Sequence, residues 1–234
     1  MNIYYRISDC SIEKARFTDK RRSLTNFLRV FAPGPGELTI LADRCGDATV
    51  EMIRDVCRAA TPAVGEDAIR RTVAGNAGSW RCAAELALKL PDDAPVYFLE
   101  DDYLHLPGSR SLLLEGLTIA DYVTLYDHPD KYINRDQGGN PLVEQGGEMT
   151  RVVRTTTTHW KYTNSTTMTF AVAVRILRQD WPIWDLHTRG YLPVDMYAFL
   201  ALREKGRRVA VSLPGRSTHC EPQNRSPFVD WESV

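Results

Sequence analysis

The sequence predicts an α/β fold, a doubly wound and mainly parallel sheet with helices on both faces. Through the first hundred residues, short apolar runs alternate with segments of helical periodicity, which is the pattern of successive β-α-β units. Residues 96–99 are continuously apolar and lead straight into an acidic triplet of Glu100, Asp101 and Asp102. Because ligands bind at the carboxyl ends of strands in such sheets, this triplet marks the first candidate site.

The first half contains four predicted strands and three predicted helices. The strands are short apolar runs at residues 3–7, 38–42, 68–73 and 95–99. The helices, which show apolar residues three and four positions apart, are expected at 20–31, 48–60 and 79–90, with Ser79 as the cap of the third. Strand and helix patterns alternate without interruption, so neighbouring strands are expected to be parallel.

The second half is less regular. Strands are predicted at residues 120–126, 152–158, 166–174 and 209–213, and a helix at 195–205. Residues 127–147 are rich in Gly, Asn, Asp and Pro and predict a long loop that could order over a bound ligand. The sequence shows neither an internal repeat nor a low-complexity linker, so a single domain over 1–234 is expected.

Composition excludes several classes of protein. The 234 residues are 43% hydrophobic and 25% charged, as in ordinary globular proteins, and the net charge of −1 gives no general attraction to nucleic acid or anionic membrane. No apolar stretch has the length of a membrane span, and the N-terminus lacks the features of a signal peptide. The five cysteines are scattered without a Cys-x-x-Cys pair, which favours a reducing, cytoplasmic compartment.

The acidic triplet has two interpretations. Three adjacent carboxylates repel one another unless a cation lies between them, and a hard divalent ion such as Mn²⁺ or Mg²⁺ takes oxygen ligands and often binds phosphates. Alternatively, the acids precede a helix, whose N-terminal dipole favours negative charge. The residues alone leave both open.

An ordered set of motifs carries a resemblance to a known family. A strand ends near Asp43, the segment Gly75-Asn76-Ala77-Gly78 opens a helix of small residues, and the next strand ends in Asp101-Asp102. In this order the motifs resemble the nucleotide-sugar-dependent glycosyltransferases of the GT-A fold, especially the family-2-like group. The resemblance covers residues 1–110 well, as a nucleotide-sugar and metal-binding half. It reaches 111–234, the expected acceptor half, only through scattered features.

The resemblance implies roles for the motif residues. Asp43 would contact the nucleotide base, although an aspartate there can also cap a turn. Gly75, Asn76 and Gly78 would let the backbone approach the nucleotide, although they also suit a plain strand-to-helix turn. Asp102 would bind the metal that bridges the donor diphosphate, while Glu100 and Asp101 would contact the nucleotide sugar. Glu100 replaces an aspartate that many relatives have at this position.

The second half supplies the remaining candidates. Asp195 stands at a predicted helix start and would be the general base of an inverting transfer, although helix N-caps are also commonly aspartate. Asp185 is the rival base. His219 follows the last strand and would complete the metal site, as in relatives of this fold; a surface histidine is the alternative.

A polar and aromatic group of residues is expected in the sugar or acceptor pocket. Tryptophan stacks on sugar rings and amide or hydroxyl groups bind sugar hydroxyls. The candidates are His159, Trp160, Asn164 and Asp127. Ordinary packing of a threonine-rich sheet is the competing interpretation.

The resemblance and the residues together predict a metal-dependent, inverting glycosyltransferase. The expected donor is a nucleoside-diphosphate sugar, preferably a UDP-sugar, and the acceptor is a glycan or a hydroxymethylated base in phage-type DNA, which would place the chain in a host cytoplasm. One alternative is a nucleotidyltransferase, but residues 8–12 lack the glycine-rich basic loop of that class. The other alternative is a binding module without catalytic activity.

Overall fold

The computed structural model describes residues 1–9, 17–144 and 146–234, so the residues 10–12 compared above with a glycine-rich loop lie outside it. The strands of the described part are β1 (Asn2–Ser8), β2 (Leu38–Asp43), β3 (Ile69–Thr72), β4 (Pro95–Glu100), β5 (Tyr103–His105), β6 (Tyr122–Thr124), β7 (Val152–Arg154), β8 (His159–Thr163), β9 (Phe170–Ala173), β10 (Val209–Leu213) and β11 (Ser217–His219). The α-helices are α1 (Lys20–Phe31), α2 (Asp47–Ala59), α3 (Gly75–Ala87), α4 (Ser109–Gly116), α5 (Val174–His187) and α6 (Asp195–Glu204).

Nine of these strands form one mixed sheet in the order β3-β2-β1-β4-β9-β6-β10-β8-β7. β1, β2, β3 and β4 are mutually parallel, β9 runs antiparallel between β4 and β6, and β8 runs antiparallel between β10 and β7. Since β6 and β10 are parallel, only β8 and β9 oppose the common direction among the described strands. The mainly parallel sheet predicted from the sequence is confirmed.

Helices cover both faces of the sheet, and each face has its own apolar core. The continuously apolar sequence of β4 is explained by these two cores. Tyr97 and Leu99 pack into the core beneath α1 and α2. Val96 and Phe98 pack into the core beneath α3, α5 and α6. Successive side chains of a strand point to opposite faces, so a strand covered on both sides is apolar along most of its length.

Several elements differ from the prediction. α3 begins at Gly75, four residues before the predicted cap, and the Ser79 hydroxyl donates to the Asn76 carbonyl oxygen within the first turn. The 127–147 segment contains two short 3₁₀ turns, Pro129–Tyr132 and Arg135–Gln137.

Five elements of the described part were not predicted: α4, α5, β8 and the short pair of β5 and β11. Pro182 lies inside α5, and a proline in a helix interior is a signal that ordinarily argues against a helix. β5 and β11 have three residues each and form a separate two-stranded antiparallel sheet. No helix of the described ranges is both long and apolar enough to cross a membrane.

Candidate functional site

A cleft of about 480 Å³ opens at the carboxyl edge of the parallel strands. Most of the residues singled out in the sequence line it. From the first half these are Asp43, Gly75, Asn76, Glu100, Asp101 and Asp102. From the second half they are Asp195 and His219. The fold therefore brings the motifs of both halves to one place, although Asp43 and His219 are far apart in sequence.

Asp43 holds the turn between β3 and α3. Its Oδ1 accepts hydrogen bonds from the Thr72 hydroxyl at 2.8 Å and the Ala74 amide at 2.6 Å, and its Oδ2 accepts one from the Gly75 amide at 2.9 Å. A carboxylate has about four lone-pair sites, so Asp43 anchors the start of α3 and keeps about one further acceptor position. Gly78, the remaining glycine of the motif, lies inside α3 and is not in the cleft lining.

The first acid of the triplet is neutralised by an arginine. Arg6 on β1 is buried, and its Nη2 lies 2.8 Å from Glu100 Oε1. Its Nη1 also donates to the Asn76 carbonyl oxygen at 2.9 Å and to Asn76 Oδ1 at 3.1 Å. Arg6 therefore ties the end of β4 to the first turn of α3. The neighbouring Asp101 is buried and accepts from the Ser8 amide at 3.3 Å.

Asp102 belongs to a different cluster, together with His219 and Glu221. His219 Nε2 lies 3.2 Å from Asp102 Oδ2, and His219 Nδ1 lies 3.8 Å from Glu221 Oε2. One ligand atom from each residue lies within 4.8 Å of the others. Although burial alone would lower it, the pKa of His219 is raised, because Asp102, Glu221 and Glu100 favour the charged imidazole.

The donor set of this cluster fits a divalent ion. Two carboxylates and one imidazole suit a divalent transition ion such as Mn²⁺, and within the described residues His219 Nδ1 is buried without a hydrogen-bond partner. The pairing of β5 with β11 creates the cluster, since Tyr103 lies opposite His219 and the Cys220 amide donates to the Asp102 carbonyl oxygen at 2.8 Å. Sequence reasoning missed Glu221. The available signal was its spacing of two from His219, which places both on one side of an extended chain.

Asp195 is the first residue of α6, after Val194 at the cap position. Its Oδ1 accepts from the Met196 amide at 2.7 Å. Burial, reinforced by the negative charge of Glu100, raises the pKa of Asp195 to about 6. A carboxylate that titrates this close to neutrality is well matched to accept a proton from a hydroxyl.

The rival base, Asp185, lies outside the cleft lining. It forms ion pairs with Arg81 at 2.8 Å and with Arg189, which lower its pKa. Two arginines stabilise its charged form, so it is a weaker proton acceptor than Asp195.

The predicted sugar-pocket residues lie apart from this cleft. The Trp160 ring is fully buried beside Gly116 and Val123 and donates from Nε1 to the Thr155 hydroxyl at 2.8 Å, so it contributes to the core. His159, at the start of β8, is exposed beyond the cleft lining.

Asn164 and Asp127 belong to a buried polar network beneath the 127–147 segment. Lys131 Nζ donates to Asn164 Oδ1 at 2.6 Å, and Lys161 Nζ lies 2.9 Å from Asp127 Oδ1. Glu148 reaches the same network, with Oε1 accepting from the Asn164 amide at 2.6 Å. These contacts fasten the segment to β8.

Two further cleft residues escaped sequence reasoning, Arg44 and Tyr191. Arg44 directly follows Asp43, and Tyr191 lies in the connection between α5 and α6. The guanidinium carbon of Arg44 lies 6.0 Å from the centroid of the Tyr191 ring. Because the two residues are far apart in sequence, no local pattern joins them.

No protein-family model and no curated protein matches the sequence. The crystal structure of GalNAc-T7 with UDP, GalNAc and Mn²⁺ is similar over 96% of this chain, with a TM-score of 0.58 at 12% sequence identity. The present chain spans 45% of the length of that structure, somewhat less than half. This likeness establishes the fold, and it confirms the GT-A-like architecture that the motif resemblance implies.

Two other solved structures are more distant. The galactosyltransferase LgtC in complex with donor and acceptor sugar analogs matches 90% of this chain and 73% of its own, at 11% identity and a TM-score of 0.44. The 4-diphosphocytidyl-2C-methyl-D-erythritol synthase from Anaerococcus prevotii matches 99% of this chain and 94% of its own, at 11% identity and a TM-score of 0.46. Scores at this level support no conclusion about this chain.

Proposed function

We propose that this chain is a metal-dependent glycosyltransferase that moves a sugar from a nucleoside-diphosphate donor to a hydroxyl acceptor with inversion. One observation carries the proposal. Two members of a cluster suited to a divalent ion, Asp102 and His219, line the same cleft as a carboxylate with a pKa of about 6, in a GT-A-like fold. A divalent ion at the cluster would stabilise a diphosphate leaving group, and the carboxylate would accept the proton of an attacking hydroxyl.

The donor would lie along the edge formed by β2, β1 and β4. Asp102, His219 and Glu221 would hold the ion, which when bound neutralises negative charge on the departing diphosphate as a Lewis acid. Asp43 would accept from the base, and Gly75 leaves room for the nucleotide at the start of α3. Arg6 keeps Glu100 in place beside this path through their 2.8 Å ion pair.

Asp195 would act as the base. In an inverting displacement the acceptor hydroxyl attacks the anomeric carbon while the bond to the diphosphate breaks, and the hydroxyl proton passes to the Asp195 carboxylate. Its pKa of about 6 makes it a stronger proton acceptor than an ordinary aspartate and still leaves it mostly charged at neutral pH. The cleft wall is rich in carboxylates, which would repel a polyanion, so a neutral glycan-like acceptor fits better than DNA.

A thermal-shift screen tests the donor half of this proposal. UDP, GDP, CDP and TDP, with their sugar conjugates, would each be added with Mn²⁺ and with EDTA. A ligand that binds only the native state raises the melting temperature. We expect a shift with one nucleotide that requires the metal and that disappears in Asp102→Asn. The matched control is Asp92→Asn, because Asp92 is an exposed carboxylate that pairs with Arg178.

Transfer itself is tested by following donor turnover. We expect Asp195→Asn to bind the nucleotide sugar normally but to lose both hydrolysis and transfer. Two results would overturn the proposal: no shift with any nucleotide in a cooperatively melting protein, or release of pyrophosphate from a nucleoside triphosphate and a sugar phosphate. The second result would identify a nucleotidyltransferase.

A further inference from the structure

Two exposed side chains face each other at the end of the cleft formed by β2 and α3. Arg44 is exposed, and Tyr191 has 61% of its surface accessible. Their separation of 6.0 Å between guanidinium carbon and ring centroid is within the range of cation–π contact. Both residues line the cleft, yet the mechanism proposed above gives neither of them a task.

The backbone holds both residues in place. Arg44 has a φ of 54°, in the left-handed region that few residues other than glycine adopt, and its amide donates to the Thr72 carbonyl oxygen at 2.8 Å. The Tyr191 carbonyl oxygen accepts from the Ala77 amide in α3 at 3.3 Å. Two separate connections are thus fixed against the same strand-to-helix turn.

Arg44 differs from the other cationic groups of the cleft in its partners. Arg6 pairs with Glu100, and His219 pairs with Asp102. Arg44 forms no ion pair with any carboxylate of residues 1–9, 17–144 and 146–234. A guanidinium is planar and weakly hydrated, so it stacks readily on aromatic faces, and the Arg44 plane is available for such a contact.

The position of this pair along the sheet indicates which part of a ligand it would meet. β1 separates β2 from β4, so the end of β2 lies about 10 Å from the end of β4, at about 4.8 Å between neighbouring strands. The cluster of Asp102, His219 and Glu221 follows β4, whereas Arg44 follows β2. Arg44 and Tyr191 therefore lie within reach of the nucleoside of a diphosphate held at the cluster.

We propose that Arg44 and Tyr191 together form a stacking surface for the nucleobase of the donor, on which the base lies rather than between them, because the two groups already contact each other at 6.0 Å. This inference rests on the proposed function and extends it, since it names the planar heteroaromatic base as the ligand of two residues without an assigned role. Each base has a π face, so stacking contributes affinity with little choice among bases. Selection of the base is then left to hydrogen-bonding groups such as Asp43.

The test is the affinity for UDP in the presence of Mn²⁺, measured by calorimetry on wild type and five variants. Tyr191→Leu and Arg44→Ala are expected to raise Kd by between about fivefold and about a hundredfold, the effect of losing one base-stacking partner. Tyr191→Phe, which keeps the ring, is expected to bind as wild type does. Arg44→Lys, which keeps the charge and loses the plane, is expected to resemble Arg44→Ala. If UDP does not bind wild type, GDP, CDP and TDP are titrated in its place.

The fifth variant is the control. Tyr197 lies six residues after Tyr191 and outside the cleft lining, and 58% of its surface is exposed, a fraction similar to that of Tyr191. Tyr197→Leu is therefore expected to leave the Kd for UDP unchanged. Unchanged affinity in Tyr191→Leu, or wild-type affinity in Arg44→Lys with loss only in Arg44→Ala, would overturn the stacking surface. Failure of wild type to bind all four nucleoside diphosphates would overturn the proposed function as well, so the two failures are distinguishable.

Discussion

Arg6 and Glu100 lie directly opposite each other on the parallel strands β1 and β4, with 2.8 Å between Nη2 and Oε1. This ion pair divides the acidic triplet. Glu100 is neutralised within the sheet edge, whereas Asp102 turns away to His219 and Glu221. The three consecutive acids therefore do not form one metal site. They supply an internal ion pair and one member of a cluster completed from the far end of the chain.

Removing Arg6 is expected to destabilise the fold. Breaking a buried ion pair leaves an uncompensated charge, and because Glu100 is partly exposed we expect Arg6→Met to cost about 2–3 kcal/mol. Urea unfolding measures the loss. The double variant Arg6→Met/Glu100→Gln is expected to lose less than the sum of the single variants. Additive losses would show that the pair contributes no coupling energy.

The pH dependence of transfer is expected to report Asp195. As a base it must be unprotonated, so kcat/KM should fall as the pH drops through about 6, the raised pKa of this residue. Glu100→Gln removes a negative charge that helps to raise this pKa, and it is expected to move the acid limb to lower pH. If the pH at which kcat/KM falls is the same in Glu100→Gln as in wild type, Asp195 is not the titrating group.

Asp195 is also expected to cost stability at neutral pH. Its folded pKa of about 6 lies above the ordinary value of 3.8, so the folded chain binds the proton more tightly than the unfolded chain does. The contribution of this carboxyl to stability is thus greatest below about pH 3.8 and is lost as the pH rises through about 6. We expect Asp195→Asn to gain roughly 1 kcal/mol at pH 7, an amount limited by partial exposure. Thermal melts at pH 7 and pH 4 should show a gain only at the higher pH.

The sequence predicted the parallel half of the fold well, for a physical reason. β4 is buried on both faces, which demands an unbroken apolar run, and α1 and α2 each bury one face, which demands helical spacing. Asp195 was likewise accessible to sequence reasoning as the acid at the start of α6.

The rest of the candidate site depends on contacts between distant segments. Glu221 joins the candidate metal cluster through the pairing of β5 with β11, three-residue strands too short to show a periodic pattern. Arg44 meets Tyr191 only because two connections converge on the start of α3. Trp160 was expected in the sugar pocket because tryptophan stacks on sugar rings, but it is a fully buried core residue.

The metal cluster is expected to act as a unit. We expect Mn²⁺ affinity to fall by at least about tenfold in each of three variants: Asp102→Asn, His219→Ala and Glu221→Gln. Substitution of residues that only hydrogen-bond to metal ligands already weakens metal affinity by about tenfold or more, so loss of a ligand itself should cost at least as much. Electron paramagnetic resonance of free Mn²⁺ measures the affinity without requiring activity. Asp92→Asn, on the exposed surface, serves as the control. Wild-type affinity in Glu221→Gln would reduce the proposed ligand set to Asp102 and His219.

Replacing Gly75 should distinguish the effect of backbone strain on stability from an effect on nucleotide binding. Gly75 has a φ of +81°, and a Cβ there would lie 3.4 Å from Arg44 Nη2, inside the cleft. Gly206 has a similar φ of +89° with no atom within 4 Å of the added Cβ. Both Gly75→Ala and Gly206→Ala are expected to lose about 1–2 kcal/mol of unfolding free energy, since each forces an L-residue into the left-handed region. Only Gly75→Ala is expected to weaken nucleotide binding as well, because its methyl group enters the space between α3 and Arg44. Equal nucleotide affinity in the two variants, measured by calorimetry, would place the nucleotide elsewhere than at the start of α3.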